Sequence, residues 1–207
     1  RRCSSNHIEH LQDCYYNRKT MVLYLLYMKA ETENIGEVRL RPDTNLRISV
    51  RNTLGDSETR DNVVFNPSEE LEQDDSAREP PHHFALKWDG SKKFSTLIAL
   101  DDKAASSALK KQKKHKAGPP RPYTGDDSGD WVPILAVECR GLEPYKFEPM
   151  KDEFVIMASS TDGDGSSDGG TIFDEDIELG EGEWAEYDAE SDVPVSLTEI
   201  EFKFEAV

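Results

Sequence analysis

From Met21 onward the chain alternates apolar and polar residues in short runs, the signature of half-buried strands. MVLYLLYMKAE opens the series, followed by the turn-prone Asn34 and Gly36 and by Val38 and Leu40, with Pro42 closing the run. Leu46, Ile48 and Val50 alternate with Arg47, Ser49 and Arg51, which predicts a strand with one wet face. Val63 to Phe65, Phe84 to Trp88 and Phe94 to Leu100 add three short β candidates. The pattern resumes at Trp131 with WVPILAVECRGLEPYKFEP, EFVIMAS, TIFDEDIEL and EGEWAEYD, and closes on Ile200, Phe202 and Phe204 between charged neighbours. No long amphipathic helix is predicted after Met21.

The fold class this implies is all-β, with two similar β-rich halves, residues 21–100 and 131–207, packed as a sandwich-like single globule. A shift of 107 residues sets Glu31 on Glu138, Ile35 on Leu142, Leu40 on Phe147 and Pro42 on Pro149, and brings Ile48 and Val50 onto Val155 and Met157. An internal repeat with those last four side chains facing a shared interior is the expectation. Between the halves, residues 101–130 contain KKQKKHK and GPPRP. Too little apolar surface is available there to offset ordering entropy, so this linker is expected to be disordered. Residues 66–83 read as a solvated loop. Residues 1–20 lack an initiating Met and are expected to lie outside the folded domain, which then spans 21–207.

Composition narrows the function classes. The formal net charge of -17 disfavours general binding to phosphate backbones or anionic lipid. Hydrophobic residues at 36% and a mean hydropathy of -0.72 fit a folded part diluted by polar segments. No apolar run approaches the roughly 18 residues that span a bilayer. The expectation is a cytosolic monomer, with nuclear import left open by the basic run Lys110 to Lys116. Cys3, Cys14 and Cys139 are too few and scattered for a disulfide framework. Cys3, His7, His10 and Cys14 are metal-ligand types, but on one helix the two cysteines would lie about 16 Å apart, too far to share a zinc.

The second half carries a resemblance. ECRGLEP from Glu138 to Pro144, then FEP, a Gly-rich loop, TIFDEDIEL and GEWAEYD resemble the C-terminal signature of the eukaryotic CXXC-motif zinc-binding family, a family without an assigned reaction. The similarity reaches back through KAETENI to Leu40, Arg41 and Pro42. It implies a β-rich, two-halved protein whose zinc is held by two CXXC pairs in the first half. At the positions matching those pairs this chain has Arg51 and Leu54, then Lys87 and Gly90, none a usual zinc ligand. Zinc, expected for the family, is therefore expected to be absent. Leu54 and Trp88 are expected to fill the space, while Arg51 and Lys87 reach Asp56 or Asp89 as exposed pairs.

The remaining candidates are weaker. Asp162, Asp164, Ser166 and Asp168 place oxygens at alternate positions, but an EF-hand-like loop needs a bidentate Glu where Phe173 stands. His82 and His83 follow two prolines without a nucleophile motif and read as surface residues. Lys110 to Lys116 has no interleaved aromatics for base stacking, so nucleic acid is not the expected partner. From Ser159 to Asp192 there are thirteen Asp or Glu and no Lys or Arg, a candidate docking surface for a basic partner. No set of residues assembles into a catalytic group. The sequence reading is a non-catalytic interaction or scaffold protein, the alternative being a metal-handling protein with a site other than the family's.

Overall fold

A computed structural model describes residues 21–53, 58–71, 81–112, 118–159 and 170–207. Its strands are β1 (Met21–Glu33), β2 (Ile35–Leu40), β3 (Leu46–Asn52), β4 (Thr59–Phe65), β5 (Phe84–Leu86), β6 (Ser95–Leu100), β7 (Tyr123–Thr124), β8 (Val132–Arg140), β9 (Leu142–Phe147), β10 (Phe154–Ala158), β11 (Ile172–Phe173), β12 (Trp184–Asp188) and β13 (Val193–Ala206). One helix, α1 (Asp102–Lys111), follows β6. The fold is all-β, as the alternation predicts. Three antiparallel sheets run β12-β13-β1-β8-β6-β5, β11-β10-β2-β7 and β4-β3-β9.

β1 organises the molecule because its run LYLLYM is buried on both faces, which is what a near-continuous apolar strand demands. Tyr24, Leu26, Met28 and Ala30 point into the main core, shared with Val38, Ile48, Val50, Phe147, Phe154 and Ile156 of the two smaller sheets. Leu23, Leu25 and Tyr27 point the other way, into a second core closed by Ala105 of α1 and Ala136, with Trp131 and Leu109 at its margin.

This second core corrects the expectation for residues 101–130. Asp101 caps α1 by accepting the Ala104 N–H at 2.7 Å. Ala105, Ala108 and Leu109 then lie on the outer face of the large sheet. Further along, Tyr123 is fully buried, and its hydroxyl accepts the Ala30 N–H at 3.2 Å and donates toward the Ala30 carbonyl at 2.7 Å and the Asp127 carbonyl at 2.6 Å. Those bonds serve a backbone left unpaired by the register shift between Lys29 and Glu31. Arg121 clamps Asp127 in two bonds of 2.7 and 2.6 Å, holding its carboxyl far below the usual range. Low average hydropathy concealed these few, well-placed anchors. Most of the basic run, residues 113–117, lies outside the described residues.

The expected repeat, with Ile48, Val50, Val155 and Met157 facing a shared interior, is not found. β2 pairs with β10 and β3 pairs with β9, while Asn34 and Gly141, between β1 and β2 and between β8 and β9, both have positive φ, 54° and 69°. At the third strand of each set, however, the buried face of β10 is Phe154, Ile156 and Ala158, with Val155 and Met157 only half buried, whereas Ile48 and Val50 of β3 are buried. A shift of 107 therefore sets the buried face of β3 on the half-buried face of β10, because side chains alternate between the two faces of a strand.

Candidate functional site

The segments that the resemblance marks as metal-bearing approach each other where Glu58 and Arg60 contact Trp88 and Asp89. β3 ends at Asn52 and β4 begins at Thr59, with the Asn52 N–H donating to the Glu58 carbonyl at 2.8 Å to pin the base of the loop. After β5 the chain turns at Trp88 to Ser91, where Ser91 N–H donates to the Trp88 carbonyl at 3.0 Å and Gly90 has φ of 73°. Trp88 is only 3% exposed. Its indole N–H donates to the Gly141 carbonyl at 3.0 Å, as does the Ser95 hydroxyl at 3.0 Å. Gly141 needs to be glycine, since its φ is 69° and a Cβ would come within 2.5 Å of Ser95 Oγ.

Arg51 and Lys87 are exposed here, and among the described residues neither pairs with Asp89. Arg51 reaches Glu143 at 2.5 Å and lies 6.0 Å from the Tyr145 ring centroid, while Tyr145 bonds to Asp61. Arg60, which the sequence reading did not single out, is the residue that approaches Asp89, at 3.9 Å. It also bonds Glu58 at 3.1 Å and stands 5.5 Å from the Trp88 ring centroid. Leu54 and Asp56 lie outside the described residues.

A second feature is the acidic face. Within residues 170–192, Asp174, Glu175, Asp176, Glu178, Glu181, Glu183, Glu186, Glu190 and Asp192 are all exposed, while Ile177, Leu179 and Trp184 are buried and anchor the segment. Asp152 holds it in place, its N–H donating to the Ile177 carbonyl at 2.8 Å and its carboxylate accepting the Ile177 N–H at 2.9 Å. Asp188 alone among these acids is buried, accepting from the Thr171 hydroxyl at 2.6 Å and the Glu190 N–H at 3.0 Å. Asp162 to Asp168, the cation-loop candidates, lie outside the described residues. Phe173 packs edge-on against Trp184 at 5.4 Å, so its position serves packing.

Comparison with known proteins decides the lineage. The profile of the family described as CXXC motif containing zinc binding protein, eukaryotic, matches residues 25–205. The chain belongs to this family. Similar relatives include UPF0587 protein CG4646 of Drosophila melanogaster, 37% identical over 83 residues, covering 40% of this chain and 45% of the relative. The CXXC motif containing zinc binding protein of Homo sapiens is 32% identical over 84 residues, covering 41% and 46%. The matched stretch thus spans about half the length of these relatives. A solved structure of a hypothetical protein from Plasmodium falciparum shares the fold, with a TM-score of 0.68, 22% identity and coverage of 88% of this chain and 99% of that one. C1orf123, in its crystal structure, shares it equally, with a TM-score of 0.68 and 22% identity over 89% and 99%.

The residues present do not fit the zinc that the family's description names. Arg51 and Lys87 bring positive charge, Gly90 brings no side chain, and a Zn²⁺ site needs neutral or anionic donors. The one described cysteine, Cys139, is fully buried on β8 between Val22 of β1 and Leu97 of β6, and burial pushes its thiol pKa well up. Among the described residues no group of three His, Cys, Asp or Glu could hold a metal ion. His83, expected on the surface, is half-buried, and its Nδ1 accepts the Ala99 N–H at 3.0 Å, bracing β6, with burial lowering its pKa. The missed residues, Glu58 and Arg60, carried only a weak signal in sequence, an opposite-charge pair beside a predicted strand.

Proposed function

We propose that this protein is a non-catalytic interaction or scaffold member of its family, folding without zinc and using the acidic region 159–192 to dock a basic partner. The observation that carries the reading is the anchored segment 170–192, where nine exposed carboxylates are displayed with no Lys or Arg among them. A rigid display loses less entropy on binding than a mobile acidic tail, and a field of one sign steers an oppositely charged partner. Two further observations support the reading. At the positions that the resemblance matches to the family's cysteine pairs, Arg51 and Lys87 bring cations and Gly90 brings no side chain. The cleft of about 400 Å³ beside α1, lined by Leu40, Arg41, Pro42, Asp101, Asp102 and Ile134 among others, carries no nucleophile with an adjacent base. No described helix is long and apolar enough to cross a membrane.

The test combines metal analysis with charge neutralisation. Protein purified without chelators should hold no stoichiometric zinc and should melt identically with and without a strong chelator. A lysine-rich peptide should bind with an affinity that falls as salt rises, and the combined variant Glu181→Gln, Glu183→Gln, Glu186→Gln should weaken it at least tenfold. Stoichiometric zinc refutes the first half of the reading. Equal binding to the neutralised variant refutes the second.

A further inference from the structure

The loop after β3 and the turn after β5 are where the resemblance places two cysteine pairs drawn together by one metal ion, and here Glu58 and Arg60 contact Trp88 and Asp89. Arg60 is the shared element. Its guanidinium lies 5.5 Å from the ring centroid of Trp88, which belongs to the second loop, and bonds Glu58 of the first loop at 3.1 Å. Asp89 of the second loop stands 3.9 Å from the same nitrogen. Glu58 closes the circuit, because its Oε1 also accepts the Asp89 backbone N–H at 3.3 Å, while its Oε2 accepts from the Asn52 side chain at 3.3 Å.

We infer that Arg60 is the cross-link between these two loops, its cation bonding Glu58 and lying against Trp88, with Asp89 nearby, in place of a metal gripping thiolates. The inference rests on the zinc-free reading above and adds the residue that takes over. Chemistry favours an Arg for the task. Its planar cation bonds a carboxylate through its edge and covers an aromatic ring with its face, two contacts that a single Lys ammonium does not make together. The supporting parts are fixed beforehand: Trp88 is buried and tied to Gly141, and Glu58 is held through Asn52. Unlike a thiolate cluster, this junction is indifferent to chelators and thiol oxidants. It is instead sensitive to salt, since Arg60 and Asp89 are exposed to solvent.

The experiment uses the full chain and compares wild type with Arg60→Gln, Arg60→Lys and a control, Arg39→Gln, which removes the exposed Arg39–Glu37 pair of 2.5 Å on β2. Arg60→Gln should lower the melting temperature by about 3 °C. It should also speed hydrogen exchange of the Asp89 amide about tenfold and shift the Trp88 indole N–H resonance. Arg60→Lys should fall between wild type and Arg60→Gln, and Arg39→Gln should leave both local signals unchanged. Raising salt to roughly 1 M should shrink the gap between wild type and Arg60→Gln. If Arg60→Gln leaves Asp89 exchange and the Trp88 resonance where Arg39→Gln leaves them, the cross-link is overturned while the zinc-free reading stands. If a chelator alone exposes the Asp89 amide in wild type, a metal joins the loops and both fall.

Discussion

Glu153 offers a measurable pH dependence whose sign follows from its surroundings. The residue begins the turn into β10 and is 0% exposed. One carboxyl oxygen accepts the Met150 N–H at 2.9 Å, and the other has no hydrogen-bonding partner. Its backbone carbonyl accepts the Arg41 N–H at 2.8 Å, which holds the residue in place. Burial pushes its pKa up from 4.5 to about 7, against a smaller downward pull from the Met150 N–H and the Arg47 guanidinium. The folded state therefore keeps a proton that the unfolded chain has released. The resulting stability is fully present below about pH 4.5, declines as pH rises, and is gone above about pH 7. At 1.36 kcal/mol per pH unit the full span is on the order of 3 kcal/mol. His83 works in the opposite direction, since its lowered pKa makes stability rise with pH through the histidine range. Glu153→Gln isolates the carboxyl, because His83 is common to both proteins. Urea unfolding of wild type and Glu153→Gln from pH 4.5 to 8 should show a difference that moves in favour of the variant by about 2–3 kcal/mol as pH rises. A difference that stays flat across that range refutes the reasoning.

Three further outcomes follow from other contacts. Tyr123→Phe should cost about 1–3 kcal/mol in urea unfolding, because the Ala30 N–H and the Ala30 and Asp127 carbonyls lose a shared partner in a buried place, and a cost under about 0.5 kcal/mol would contradict that assignment. Trp88→Ala should cost about 3–5 kcal/mol, since it empties a buried indole site and leaves the Gly141 carbonyl with the Ser95 hydroxyl as its remaining described donor, and an unchanged melting curve would mean the ring is dispensable. Ala105→Asp should detach α1 by burying a carboxylate against Leu23 and Leu25, read as faster amide exchange across Asp102–Lys111, and protection equal to wild type would show that α1 does not depend on that contact.

The strands were legible because their signal is local. In β1 the apolar run marked a strand, although it was read as part of an alternating series and burial on both faces emerges only from the fold, and in β3 the alternation of Leu46, Ile48 and Val50 gave the buried side correctly. What covers the far face of β1 was not legible. α1 is Ala-rich and buries only Ala105 completely, so its apolar stripe is too slight to stand out beside the lysines that follow. Tyr123 was hidden for a related reason, since one aromatic in a Gly, Pro and Asp setting does not look like core until the bulge at Ala30 is known. At the candidate site, Arg51 lies near the end of β3, and Lys87 and Gly90 follow β5. The contacts of Arg51 with Glu143 and of Arg60 with Asp89 were not legible because Arg60 and Glu143 arrive through sheet register across β3, β4 and β9, which one sequence does not encode locally.

The exchange of strands between the two halves bears on how the molecule is made. β2 finds its partner in β10, β3 is flanked by β4 and β9, and β1 is flanked by β8 and β13. During synthesis the apolar run of β1 emerges well before Val193–Ala206, the strand that covers one of its edges. Until then it offers an unpaired hydrophobic ribbon, the kind of surface that nascent-chain chaperones shield and that otherwise seeds aggregation. Pairings this distant also require large loops to close before any contact rewards them, which places the chain among slow folders for its size. Most of the chain must therefore be synthesised before its central sheet can close.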